Sequence, residues 1–303
     1  MEQRSRFSVL ASGSAANASL LEAFGFSVLI DFGLPPCAIQ YRLSHIGRRW
    51  SDIAAVILTH THGDHWNLLT LRHLRTLGIP LYLHRQHADF LSRHDALEPL
   101  RSAGLLRTYV DRTWLPLSNR LSAYSVQVPH DSVPTFAFRF ECHRQSEGSW
   151  AVGYASDLGS VPPEAMEAFV DVDLLALEFN HDVSLQQNSG RHPVLIRRVL
   201  GNQGHLSNVQ AAEVVARILA RSRRRPEHLI QLHLSHDCNS EALAQSACIE
   251  LLSNHGHSLS IHSAKQELPL PPVELFLKSP SIHFEPTPTC LQLELPGFED
   301  EIG

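Results

Sequence analysis

Four side chains able to bind a metal, His60, His62, Asp64 and His65, fall within six residues, directly after the apolar run Ile53-Ala54-Ala55-Val56-Ile57-Leu58. The run is short and rich in β-branched residues, which predicts a buried strand, so the cluster belongs to a strand end. A loop there sets His60 and His62 on one side, and the turn at Gly63 brings Asp64 and His65 round to a second position. Two cations can be held in this way, at the ~3.5–4 Å separation of two-metal hydrolytic sites. Imidazoles and carboxylates without thiolates suit Zn²⁺ or Mn²⁺, with Fe²⁺ also compatible. A lone histidine is usually just a satisfied polar side chain, and with 20 in 303 residues most histidines here must be that. Four ligands side by side are a different signal.

The pattern H-x-H-x-D-H behind a buried strand resembles the signature of the metallo-β-lactamase fold superfamily. That resemblance implies an α/β fold, a four-layer αβ/βα sandwich with two divalent metal ions at one edge between two sheets. In the superfamily an aspartate at the position of Asp31, in Leu29-Ile30-Asp31-Phe32-Gly33, supports the metal-binding loop. Outer carboxylates of that kind orient ligating imidazoles.

The rest of the chain fits a globular protein. It is 43% hydrophobic and 18% charged, long enough for one large core or two small ones. It has no run of about 18 apolar residues, so no membrane span is expected, and the apolar core near the start, Phe7 to Ala11, is too short for a signal peptide. Five scattered cysteines, Cys37, Cys142, Cys238, Cys248 and Cys290, lack metal spacing and favour reduced thiols in a cytoplasm. The net charge of −6 argues against indiscriminate nucleic-acid binding. Yet eight arginines lie between Arg191 and His228 against two glutamates, and arginine forks suit phosphates. Arg223, Arg224 and Arg225 are their densest group.

Strands are predicted at Phe7 to Leu10, Ser19 to Glu22, Ser27 to Ile30, Ile79 to Leu83, Leu121 to Val128, Thr135 to Cys142, Ser149 to Ser156, Leu174 to Phe179 and His228 to Leu234. Helices are predicted at Asn67 to Leu77, closed by Gly78, then His84 to Gly104, Asn208 to Arg221 and Ser240 to Asn254. From Lys265 onward, seven of the eighteen prolines and seven acidic residues fall in 39 positions. This divides the chain into a catalytic domain, 1–264, and a mostly irregular acidic tail, 265–303.

Three further ligand candidates are strand-end residues: His130, Asp157 and His233. With the first cluster they make one site of His60, His62 and His130 and another of Asp64, His65 and His233, bridged by Asp157. Asp64 doubles as a catalytic carboxylate. His236 competes for the last position; His233 matches the superfamily's last ligand.

Other polar knots narrow the resemblance. Ala11-Ser12-Gly13-Ser14, Glu178-Phe179-Asn180-His181-Asp182, Gly204-His205-Leu206-Ser207-Asn208 and His233-Leu234-Ser235-His236-Asp237 look like the YycJ/WalJ family, bacterial members regarded as 5′-to-3′ DNA exonucleases. The Gly-His-Leu-Ser and His-Leu-Ser pair is also similar to ribonuclease Z. The likeness implies that Glu178 and His205 form a charge-paired acid serving the leaving oxygen. Ser12, Ser14, Asn180, Ser207 and the three arginines 223–225 are the candidates for holding substrate. The expected function is that of a dinuclear-metal phosphodiesterase acting on nucleic acid, most plainly DNA. The alternative is a small-molecule hydrolase, a cyclic phosphodiesterase or thioesterase, on the same metal core. Oligomeric state is left open.

Overall fold

The computed structural model describes residues 4–94, 97–132, 134–144, 147–253, 259–278 and 284. Its first half runs β1 (Ser5–Ala11), β2 (Ala18–Ala23), β3 (Phe26–Ile30), α1 (Pro36–His45), β4 (Ala55–Ile57), α2 (Leu68–Leu77), β5 (Leu81–His84), α3 (Arg85–Leu91), α4 (Leu97–Ser102) and β6 (Leu106–Tyr109). The second half runs β7 (Trp114–Pro116), β8 (Leu121–Val128), β9 (Thr135–Arg144), β10 (Gly148–Ala155), α5 (Pro163–Ala168), β11 (Leu174–Glu178), α6 (Val183–Gln187), α7 (Pro193–Leu200), α8 (Asn208–Arg221), β12 (His228–Leu232), α9 (Glu241–Ser253), β13 (Ser260–Ser263) and β14 (Val273–Leu275).

Two seven-stranded sheets result, ordered β14-β1-β2-β3-β4-β5-β6 and β13-β12-β11-β10-β9-β8-β7. A core including Phe7, Ile30, Phe138, Trp150 and Ile230 lies between them. The first sheet's other face buries Leu20, Val56 and Leu83 with Ile39 of α1, Leu71 and Leu74 of α2 and Leu100 of α4. The second sheet's other face packs Leu175, Leu177 and Leu229 on Val215 and Ile218 of α8 and Cys248 of α9. The expected four layers are therefore present. Central strands such as β10 and β11 are buried throughout and read as unbroken small and apolar runs because helices cover one face and the partner sheet the other.

The strand directions place the site. β3 and β4 are parallel, as are β10, β11 and β12, so their carboxyl ends share an edge. Strands β8 and β10 are each antiparallel to β9, which brings the end of β8 to that edge as well. Residues just past those ends are Asp31, Thr59–His65, His130, Asp157 and His233.

One expectation changes. The helix expected over His84 to Gly104 is two helices, α3 and α4, with the turn Ser92–His94 after the first. The start of the tail, mostly irregular as expected between 264 and 272, nonetheless packs on the sheets. Leu270 N–H bonds the Val9 carbonyl at 2.8 Å, β14 pairs with β1, and Lys278 pairs with Ser149 on β10. Alternating burial of Val273 and Leu275 drives that strand. Residues 265–278 thus add one short strand and a bridge to the two sheets; the remainder of the expected tail is, Phe284 apart, outside the described residues. Cys37, Cys142, Cys238 and Cys248 are free thiols, and Cys290 lies outside the described residues. No helix among the described residues is long and apolar enough to cross a membrane.

Candidate metal centre

The loop Thr59–His65 is pinned on several sides. Asp31 accepts from the Thr59 N–H and hydroxyl, both at 2.8 Å. Asn17 N–H bonds the Asp64 carbonyl at 2.7 Å, and Trp66 Nε1 bonds the Thr61 carbonyl at 3.1 Å. Gly33 is required by this closeness, because a Cβ there would stand 1.8 Å from the Asp64 carbonyl oxygen. Asn67 then caps α2 by accepting from Leu69 N–H at 3.0 Å.

Three groups of ligand atoms converge, each with its atoms within 4.8 Å of one another: His60, His62 and His130; Asp64, His65, Asp157 and His233; and, sharing two residues with the second, Asp157, Glu178, His205 and His233. Neighbours decide which ring nitrogen each imidazole offers. The Thr59 hydroxyl donates to Asp31, so it accepts from His60 Nδ1 at 3.0 Å and leaves Nε2 with the lone pair. His130 Nδ1 donates to the Gly204 carbonyl at 2.9 Å, turning its Nε2 to within 3.2 Å of His62 Nδ1. His65 Nδ1 donates to Asp31 at 2.8 Å, and its Nε2 stands 3.0 Å from Asp157 Oδ2. The other oxygen of Asp157 lies 3.3 Å from His233 Nε2 and 3.9 Å from His130 Nε2, so one carboxylate faces the first two groups. Asp64 Oδ2 is 3.3 Å from His233 Nε2.

The residues fit divalent cations. His60 Nε2 is buried without a hydrogen-bond partner among the described residues, in a site where an unmet polar atom is costly. His62 and His130 present nitrogens to each other at a distance that a shared cation relieves. Burial opposes charge on His65 and His233, yet Asp157, Asp64, Asp31 and Glu178 outweigh it; His65 is held well above the usual imidazole range and His233 is pushed up to about 10. His60, buried and facing other imidazoles, is held well below that range. Asp157 is held well below the carboxylate range, because His233 and His65 overcome its burial. Three site residues also carry left-handed backbones: φ is 61° at Asp31, 60° at Asp157 and 55° at His233. Non-glycine residues adopt this region at a cost of order 1–2 kcal/mol, and here it turns each side chain into the centre at a strand end.

Beside the Asp157 carboxylate, His205 Nδ1 donates to Glu178 at 2.6 Å. The second Glu178 oxygen accepts from Leu158 N–H at 3.1 Å and Leu206 N–H at 3.0 Å. Burial would raise the Glu178 carboxyl, but His205 and His233 bring it down to about 2, and the same pairing raises His205. An anchored carboxylate thus orients an imidazolium whose Nε2 is left for a reacting group.

The substrate candidates separate. Ser12 is buried and accepts from the His233 N–H at 2.8 Å, and it also lines the cavity in which Ser14 stands. Asn180 bonds the His233 carbonyl at 3.0 Å. Ser207 is buried and caps α8 by accepting from Gln210 N–H at 3.3 Å. Both were expected to face substrate, and their hydrogen bonds are spent on the scaffold. Ser14 is exposed and lines a 470 Å³ cavity with Leu234, Ser235 and Asn239, next to His233. Arg223, Arg224 and Arg225 lie before β12, at the end of the sheet away from His233. A five-residue strand spans about 16 Å. Arg224 is structural there, its guanidinium meeting the Asp171 carbonyl at 3.0 Å and Asp173 at 3.4 Å. Linear arginine density could not tell one strand end from the other. His236 is exposed and turned to Asp237, which leaves the position beside Asp64 to His233.

Sequence reasoning passed over Asn17 and Asp131. Asn17 Nδ2 bonds Asp64 Oδ2 at 2.9 Å and the Gly13 carbonyl at 3.0 Å. Asp131 lies 3.5 Å from His62 Nε2 and pairs with Arg198 of α7. The only available signal for it was its place directly after His130.

Residues 28–233 match the family model described as "Beta-lactamase superfamily domain". The chain is 28% identical over 255 residues to "Exodeoxyribonuclease WalJ" of Streptococcus pneumoniae serotype 2, covering 82% of this chain and 88% of that one. It is 25% identical over 273 residues to "Exodeoxyribonuclease YycJ" of Bacillus anthracis, covering 87% and 96%. Among solved structures, the metallo-beta-lactamase fold protein YhfI from Bacillus subtilis superposes with a TM-score of 0.60 at 16% identity, over 88% of this chain and 99% of that one.

Proposed function

Because the chain belongs to the beta-lactamase superfamily, whose domain model spans residues 28–233, we propose that it is a dinuclear-metal-dependent phosphodiester hydrolase, a nuclease degrading DNA from a 5′ end. His60, His62 and His130 would hold one cation, and Asp64, His65 and His233 the other, with Asp157 between them. Zn²⁺ and Mn²⁺ both suit this nitrogen and oxygen set. When bound, such ions supply Lewis acidity toward a phosphoryl group and a nucleophile at neutral pH. A cytoplasmic setting, expected from the scattered thiols, is part of the same reading.

One observation carries the phosphodiester reading: the 2.6 Å contact between His205 and buried Glu178, beside Asp157. Cleavage of a nucleotide linkage expels a sugar oxygen that leaves poorly as an alkoxide. His205, protonated through its bond to Glu178, gives the Nε2 proton to that oxygen as the P–O bond breaks. Glu178 keeps the ring's Nδ1 protonated and its plane fixed, and it stabilises the imidazolium between turnovers. Asp31, Asn17, Ser12 and Asn180 hold His65, Asp64 and His233 in place. The similarity to two named exodeoxyribonucleases supports DNA as the polymer.

The deciding experiment is a Zn²⁺- or Mn²⁺-supplemented digestion of 5′-phosphorylated duplex DNA run alongside a chromogenic phosphodiester. Processive shortening of the duplex from the 5′ end is the expected result. Hydrolysis of the chromogenic ester with DNA left intact would replace this reading by a small-molecule hydrolase.

A further inference from the structure

Between Glu178 and His205 the chain makes an excursion that the metal ligands do not use. α6, α7 and the link between them are largely exposed, with Leu185 at 43%, Val194 at 57% and Leu195 at 38%. From Val183 to Ala212 there is no acidic residue, while Arg191, Arg197, Arg198 and His192 all fall within it. On a chain of net charge −6 this is a concentrated positive segment with an apolar surface.

Its root is seated on the turns that carry the site. His205 N–H bonds the Val199 carbonyl at 3.0 Å. A Cβ on Gly204 would lie 2.2 Å from the Arg198 and Val199 carbonyl oxygens, and one on Gly159 would lie 2.4 Å from Asn202. Gly204 in turn receives His130 Nδ1 at 2.9 Å. The excursion also touches both sides of the centre. Arg198 pairs with Asp131, next to His130, and Arg191 reaches Asp237 Oδ2 at 2.7 Å, four residues past His233. Arg197, exposed in the last turn of α7, has no ion pair among the described residues.

We propose that this two-helix arm, Val183 to Leu200, grips the DNA whose end enters the metal centre, with Arg197 on a backbone phosphate and Val194 and Leu195 against the exposed face of the terminal base pair. The proposal rests on the nuclease reading. The arm has the two chemistries a duplex end presents: phosphates, which attract fixed cations and release counterions, and an apolar base face. Its seat on the His130, Asp157 and His205 turns fixes the distance between a gripped phosphate and the reacting one, which is what positioning requires.

The test uses metal-loaded protein and a short 5′-phosphorylated duplex. Arg197→Ala is expected to reduce the slope of log affinity against log salt by about one unit. It should raise KM for DNA several-fold while kcat at saturating DNA holds. The pair Val194→Ser with Leu195→Ser should raise KM with the salt slope unchanged. Arg223→Ala, at the far end of the sheet, is the reference and should alter neither. Wild-type KM and salt slope in Arg197→Ala would overturn the proposal, as would an equal loss in Arg223→Ala. A change from dimer to monomer in the Ser pair, with DNA binding intact, would overturn it in favour of a second copy of this chain on the arm. Wild type that neither binds nor cuts DNA is a different result, and removes the nuclease reading itself.

Discussion

His65 gives its Nδ1 proton to Asp31, a carboxylate buried at 0% exposure and 2.8 Å away, and that single contact decides which face of the ring is offered to a cation. Asp31→Asn keeps the side-chain shape, and asparagine tolerates the left-handed backbone at this position. The variant should fold, yet bind metal 10–100-fold more weakly, the usual cost of losing an outer carboxylate partner. Titration with a competing chelator measures it; wild-type affinity would show that Asp31 serves only the Thr59 turn.

Purified protein should carry about two transition-metal ions per chain, as the two ligand groups require. Asp157→Ala, which removes the carboxylate facing both groups, should lower occupancy of both, whereas His62→Ala should spare the Asp64, His65 and His233 group. Elemental analysis gives the counts. A single ion in active wild type would contradict the dinuclear assignment.

Metal affinity should rise with pH. In the metal-free protein His65 and His233 are held protonated by surrounding carboxylates, His233 up to about 10, so near neutrality a cation must displace protons from both. Acidification favours the protonated imidazoles and weakens binding; alkalinisation does the reverse. Calorimetry in buffers of different ionisation enthalpy should register net proton release, and its absence would rule the imidazoliums out.

His205→Ala should retain metal and lose turnover by about 10²–10⁴-fold, the range for a removed general acid. The loss should shrink on a phosphodiester with a good leaving group, which departs without a proton. Equal loss on both substrates would assign His205 a purely structural role.

A chain ended after residue 264 should be less stable than one ended after 278. The difference is strand β14, the burial of Val273 and Leu275, and the Gln266 side chain, which accepts from Ala15 N–H at 3.0 Å and donates to the Ala16 carbonyl at 2.9 Å. Burying two such aliphatic side chains contributes roughly 3–6 kcal/mol before entropy is counted. Thermal melting compares the two chains; identical melting temperatures would mark 265–278 as an appendage.

The candidate ligands were legible because their signal is chemical and local: seven histidines and aspartates stand at the ends of apolar runs, and the fold brings the seven side chains together. The Glu178 and His205 pair came instead from the resemblance to known families. What stayed hidden depends on tertiary geometry. Asp131 gains its role from Arg198, 67 positions later. Asn180 and Ser207 look like substrate residues in isolation, and the folded chain spends their hydrogen bonds on His233 and α8. β14 is three residues long amid prolines, and only its pairing with β1 makes it a strand. Arg223 to Arg225 are close to the site in sequence numbering and a strand length away in space.

Of the six left-handed non-glycine backbones among the described residues, three, at Asp31, Asp157 and His233, belong to the centre. A selection for heat resistance that ignores activity would relax these three strand ends, since glycine at φ near +60° is free of the strain that aspartate and histidine bear there. Such a selection would keep the sandwich and discard its chemistry. Phe24, Arg112 and Asp171 carry the same backbone in turns away from the site, so variants recovered for thermal robustness alone should gather at all six positions, and activity should fall only with substitutions at the three that carry the site.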